Sequence, residues 1–140
     1  MRRIWCINPA WGINPAWGIT AVRLAVAIVL IVAGYLKFAG GIPGVQAYMA
    51  KVGIPLPGLM GWYIPILELV GGILLLIGLG TRWVGLLVLL EFIVAAFYVK
   101  LPSVGWAMSR VDILMLAGAI LLFLAGPGKA SVDEVWLEKS

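Results

Sequence analysis

Four apolar runs dominate this chain. They occupy residues 19–38, 60–79, 83–99 and 111–125, and the last extends back through Trp106. A bilayer core of about 30 Å takes about 20 apolar residues per helix, so each run has roughly the length of a span. The links between them differ. Residues 40–59 are long and rich in Gly and Pro, and their centre, 45–52, suits a short interfacial helix. Gly80-Thr81-Arg82 is a tight turn that forces an antiparallel hairpin. Residues 100–110 hold Pro102 and Ser103, and Gly126-Pro127-Gly128 breaks the last helix before a polar tail. The expected fold class is an all-α membrane protein, an antiparallel bundle of four transmembrane helices over residues 19–126. An interfacial arm (1–18) precedes it and a polar cytoplasmic tail (127–140) follows.

Composition supports lipid as the solvent. Hydrophobic residues make up 64% and charged residues 11%, where a soluble domain carries about a quarter charged. The net charge of +4 is scattered at helix ends, without the basic patch that nucleic-acid binding needs. The expected partners are the lipid bilayer and other membrane subunits, with no nucleic acid. There is one cysteine, Cys6, and no histidine. Bis-His haem, His-ligated zinc, the facial iron triad, His general-base chemistry and a CxxC redox pair are therefore excluded. The sequence shows no metal motif and no cofactor held covalently or by histidine. A redox cofactor would be diffusible, a quinone for example, or carried by a partner. No A-x-A-type cleavage site follows the first apolar run, so no removable signal peptide is read.

The N-terminus repeats INPAWG in tandem at residues 7–12 and 13–18. Asn before Pro is a good helix start, which places the beginning of the first helix near Asn14-Pro15. Trp5, Trp11 and Trp17 suit the membrane interface. They read either as a duplicated anchor or as a docking arm for a partner subunit. Four spans put the N-terminus, the second link and the tail on one side. That side carries Arg2, Arg3, Arg82, Lys129 and Lys139, against Lys37, Lys51, Lys100 and Arg110 on the other. The small excess favours both termini in the cytoplasm.

The most informative residues are ionisable ones inside spans, where each costs about 2.5–3.5 kcal/mol to insert. Arg23 lies in the first span, Glu68 near the middle of the second and Glu91 near the middle of the third. Lys37 and Asp112 lie close to span ends on the non-cytoplasmic side. With a rise of 1.5 Å per residue, Arg23 is about 9 Å past Trp17 and Glu91 about 12 Å past Trp83, while Glu68 is about 15 Å from Gly78. On these depths Arg23 and Glu68 are expected to pair across adjacent helices, with Glu91 at a comparable level. One reading is a structural ion pair that sets helix register. The other is a polar cavity for the head group of a lipophilic substrate such as a quinone, lined by Arg23, Glu68 and Glu91. Two carboxyls sharing one arginine would leave one with its proton, able to hydrogen-bond a carbonyl or relay the proton. Lys37, Arg82 and Asp112 read as structural charges. The glycines Gly71, Gly72, Gly78, Gly80 and Gly118 fit close helix packing, and Met108 and Met115 read as core.

Taken in order, Arg23, Gly34-x-x-Lys37, Gly53-Ile-Pro-Leu-Pro, Glu68 with Gly71-Gly72, Leu75-to-Arg82 at the tight turn and Gly126-to-Asp133 resemble the DoxX family of small membrane proteins. The resemblance covers about residues 21–133. It implies a four-helix bundle in a bacterial or archaeal inner membrane with cytoplasmic termini, and association with oxidoreductases. One such member is the membrane subunit of a thiosulfate:quinone oxidoreductase. Arg23, Glu68 and Arg82 match the family's polar positions. Glu91 stands where an apolar residue is expected, and the INPAWG arm is a further departure. Met1-to-Trp5 ahead of an Asn-Pro also looks like the start of purple-bacterial light-harvesting α chains, although no histidine is present to ligate a pigment. The expected function is an accessory or quinone-interacting membrane subunit of an oxidoreductase. The alternative is a non-catalytic subunit that stabilises a larger respiratory or photosynthetic complex. The donor and any turnover are left open.

Overall fold

The computed structural model describes residues 15–139, all helices and short links. Helix α1 spans Pro15–Gly40, α2 Ile42–Lys51, α3 Pro57–Ile77, α4 Thr81–Val104, α5 Trp106–Ala125 and α6 Val132–Lys139. Helices α1, α3, α4 and α5 are long and apolar enough to cross a membrane. The protein is a multi-pass membrane bundle. Helix α1 is described from Pro15, so the start expected at Asn14-Pro15 falls at the edge of the described residues, and α5 does extend back to Trp106. The short helix expected in the long link is α2, which begins about a turn earlier than expected, with Pro43 in its first turn.

The apolar side chains point the right way for lipid. Ile28, Val32 and Leu36 on α1 and Leu114 and Leu124 on α5 face outwards. The interior is a core of Val26, Ala27, Leu30, Leu75, Val84, Val88, Met115, Ala119 and Leu122. Lipid tails are as apolar as leucine, so helix pairing in a bilayer depends on close backbone approach. Glycine supplies it here. A Cβ on Gly34 would sit 2.7 Å from the Leu69 backbone nitrogen, and one on Gly72 would meet Ile31 and the Ala27 carbonyl. These contacts lay α1 along α3. Gly85 does the same for α4 against the Ala119–Phe123 turn of α5. The bundle is thus two tight pairs, α1 with α3 and α4 with α5, while α3 and α4 touch far less.

Two features shape the end of the bundle remote from the termini. Helix α2 docks on α3, with Gln46 Nε2 donating to the Gly58 carbonyl at 2.9 Å and Met49 and Ile54 buried against Val99. Helix α4 widens to a π-helix over Val94–Lys100 before a last α turn. Such segments rotate the following side chains and are frequent at functional sites. Here the segment carries Lys100 towards α5 and brings the Tyr98 hydroxyl to the Gly53 carbonyl at 3.2 Å.

Candidate functional site

The α3–α4 gap opens into a cavity of about 360 Å³ in the half of the bundle remote from the termini. That is within the size of small-molecule sites. Its wall is mostly apolar, with Ile64, Leu87, Leu90, Phe92 and Val94 among the lining residues. Five charged side chains converge on it: Lys37 from α1, Glu68 from α3, Glu91 and Lys100 from α4 and Asp112 from α5. Each membrane helix contributes at least one.

Glu68 is 3% exposed, and both of its oxygens accept from Lys37 Nζ. Lys100 Nζ donates to Asp112 Oδ1 at 2.9 Å. Asp112 Oδ2 is 2.7 Å from the same nitrogen, which meets its charge although the angle is not that of a hydrogen bond. Each ion pair ties the two helices of one tight pair, α1 to α3 and α4 to α5. Glu91 lies beside Glu68 in the same cavity wall. Its Oε2 is buried and has no partner among the described residues. Three carboxyls therefore face two ammoniums, and one proton would balance the cluster.

The expected Arg23–Glu68 pair does not form. Arg23 is 1% exposed, but it sits at the opposite end of the bundle. Its Nη1 donates to the Pro127 carbonyl at 2.5 Å and the Lys129 carbonyl at 3.3 Å, and its Nη2 to the Ala130 carbonyl at 2.9 Å. Arg23 lies beside Gly78, where a Cβ would come 2.9 Å from Nη1. It is thus level with the end of α3, about 15 Å along that helix from Glu68 at 1.5 Å per residue. The sequence depths went wrong because Trp17 and Gly78 were placed at one level. In fact α1 extends about two turns beyond the end of α3.

Around Arg23 the tail folds back as a latch. The Thr20 hydroxyl accepts from the Lys129 amide at 2.8 Å. The Asp133 carboxylate accepts from the Gly80 and Thr81 amides at 2.9 and 3.0 Å and so caps α4. The Asp133 amide donates to the Gly78 carbonyl at 3.0 Å. Ser131 Oγ accepts from the Glu134 amide and caps α6. Arg82 lies over Gly126 in the same region. The tail is thus not a loose polar extension but holds a helix pinned to the bundle.

A model of the DoxX family matches residues 18–101. The chain belongs to the DoxX family. It is also similar to a Bacillus subtilis (strain 168) protein named "Putative oxidoreductase CatD", with 36% identity over 100 residues, 71% of this chain and 72% of the relative. No solved structure matches. In this DoxX protein the residues behind the resemblance divide into two groups. Arg23, Gly78, Thr81, Gly126 and Asp133 build the latch, whereas Lys37 and Glu68 build the cavity. Lys37 and Asp112, read from the sequence as structural helix-end charges, are cavity groups. Lys100 was not singled out at all. Its signal was the surplus of acids over bases within the spans, which called for another cation. Trp5 and Trp11 lie outside the described residues, as do the first INPAWG copy and Asn14. Trp17 is exposed on the first turn of α1. Among the described residues no cluster of His, Cys, Asp and Glu has metal-site geometry.

Proposed function

We propose that this DoxX protein is the membrane subunit of a redox assembly, and that its cavity takes the ring head group of a quinone-type lipophilic substrate. The observation that carries this is a cluster of five charged side chains lining an apolar cavity at the loosely packed α3–α4 seam, two of them, Glu68 and Asp112, buried. Ionisable groups at that depth are costly and mark functional sites in membrane proteins. The seam is flanked by exposed Tyr63, Leu87, Leu90 and Val94, an apolar entrance suited to a molecule arriving from the lipid phase. Lys37 and Lys100 would orient ring oxygens, and the Glu68–Glu91 contact would hold a proton beside them. The chain brings no histidine and one cysteine, so the electrons would come from a partner. The cation excess on the terminal side supports cytoplasmic termini, with the cavity in the outer half of an inner membrane.

An azido-quinone with a short isoprenoid tail tests this in native membranes. Photolabel on α3 and α4 around Glu68 and Glu91, reduced by excess quinone and lost in Glu68→Leu, is the expected result. Label spread evenly over the lipid-facing surface would reject it. A second reading, a non-catalytic stabilising subunit, draws on the two ion pairs, since each locks one helix pair and needs no ligand. It predicts no saturable labelling and loss of partner assembly when either pair is broken.

A further inference from the structure

We infer that α6 is an interfacial helix, whose face of Val132, Val135 and Trp136 dips into the bilayer at the level where α3 ends and α4 begins.

The spacing puts one apolar stripe on α6. Val132, Val135 and Trp136 stand at i, i+3 and i+4, and all three are exposed, Trp136 at 76%. Lys139 continues the stripe at i+7 and is exposed too. Glu134 lies on the opposite side, paired with Lys129. This division of faces is that of an amphipathic helix.

The bundle does not cover the stripe. Among the described residues, the bonds that tie α6 down all fall at its start. The Asp133 carboxylate accepts from the Gly80 and Thr81 amides, the Asp133 amide donates to the Gly78 carbonyl, and Glu134 meets Lys129. Past that turn, and among the described residues, α6 has no extended packing against another helix. Isolated helices shorter than about 12–15 residues are marginal in water, and α6 has eight. Its remaining turn therefore needs an apolar surface from outside the chain.

The position of α6 says which surface. Gly78 closes α3 and Thr81 opens α4, so Asp133 fixes the start of α6 at the ends of two membrane spans. Trp83, in the first turn of α4 and 75% exposed, marks the same boundary, because tryptophan favours the headgroup level. A helix held there meets lipid on its open side. Three side chains fall far short of a stable protein interface, which takes about 20–30 residues a side. A helix already tethered to the spans needs only its apolar face to lie at the lipid boundary. Asp133, Glu134 and Glu138 outnumber Lys139 on α6, so apolar burial holds it and anionic lipid does not.

The test uses the full-length protein in phosphatidylcholine vesicles, with Cys6→Ser so that one introduced cysteine carries a nitroxide. Labels are placed through Glu134→Cys, Val135→Cys and Trp136→Cys, and their collisions with oxygen and with a neutral nickel chelate are measured. Oxygen should dominate at 135 and 136 and the chelate at 134. Chelate access at all three would put α6 in water and overturn the inference. Shielding of 135 and 136 from both reagents would mean that protein covers the stripe, and overturns it equally. Hydrogen exchange on unlabelled protein guards against disturbance by the label. In Val135→Ser with Trp136→Ser, the amides of 135–139 should exchange at least about tenfold faster, the size expected for losing burial of these side chains. The Gly80 and Thr81 amides, held by Asp133, should keep their protection. Unchanged exchange over 135–139 would show that the stripe touches no lipid.

Discussion

Lys37, in the last turns of α1, grips both carboxylate oxygens of Glu68 at the middle of α3. The Lys37 side chain is 31% exposed and that of Glu68 4%, so a cation that reaches the surface neutralises an acid that does not. The same arrangement recurs at Lys100 and Asp112, at 35% and 5%. A long flexible cation can bury its stem and keep its head near the polar boundary. The short acids have no such option, and the lysines come to them.

Breaking this pair one residue at a time should expose its cost. Lys37→Met leaves Glu68 buried without its cation and is expected to destabilise by about 3 kcal/mol. Lys37→Met with Glu68→Leu removes both charges and should recover at least about 1 kcal/mol of the summed single effects. Thermal unfolding of the four proteins in one detergent gives the cycle. Simple additivity would mean that the two residues act separately.

Arg23 should behave in the opposite way towards Glu68. Arg23→Leu strips the donors from the Pro127 and Ala130 carbonyls and should cost about 3 kcal/mol while freeing the tail to proteases. Arg23→Lys should rescue little, because one ammonium cannot match the guanidinium fork. Because the two sites lie about 15 Å apart by helical rise, Arg23→Leu and Glu68→Leu should add to within about 0.5 kcal/mol. A coupling well above that would restore the pair that the structure separates.

Asp133 caps a helix that is distant in sequence, and its loss should be felt there. Asp133→Ala removes the acceptor for the Gly80 and Thr81 amides and should cost about 1–2 kcal/mol, the range of N-cap deletions. Hydrogen exchange should show the first turn of α4 opening together with α6. Exchange confined to α6 would mean that the cap is not shared.

The latch should loosen in acid. The Lys129 ammonium, 2.8 Å from Glu134 Oε1, holds this carboxyl below the usual glutamate range, chiefly through that hydrogen bond. A group whose value is lowered on folding stabilises the fold above its unfolded value and loses that contribution as the pH falls through its folded value. Tail protection should therefore be greater in the wild type than in Glu134→Gln at neutral pH, and the two should converge below the carboxylate range. The effect is small, because the pair is partly open to solvent and salt screens it. Curves that stay parallel down to low pH would place the acid sensitivity elsewhere.

Much of the fold was legible because bilayer thickness, a length external to the protein, sets the length of each apolar run. The four spans, the tight Gly80–Arg82 turn and the short helix between α1 and α3 all follow from local signals. So does the importance of Glu68 and Glu91, since a charge in a span is conspicuous wherever it points. Which charges meet was not legible. Pairing depends on the axial offset between neighbouring helices, and here the Gly34–Leu69 and Gly72–Ile31 contacts between α1 and α3 decide that offset. A shift of two turns, invisible in composition, moves Arg23 from the cavity to the tail and puts Lys37 in its place. The role of Lys100 likewise depends on a π-helical segment that no local residue signal announced. The sequence by itself determined that this chain would cross a membrane four times with acids inside. Tertiary packing alone decided which cation each acid would find, because that choice is made by contacts between helices and not within them.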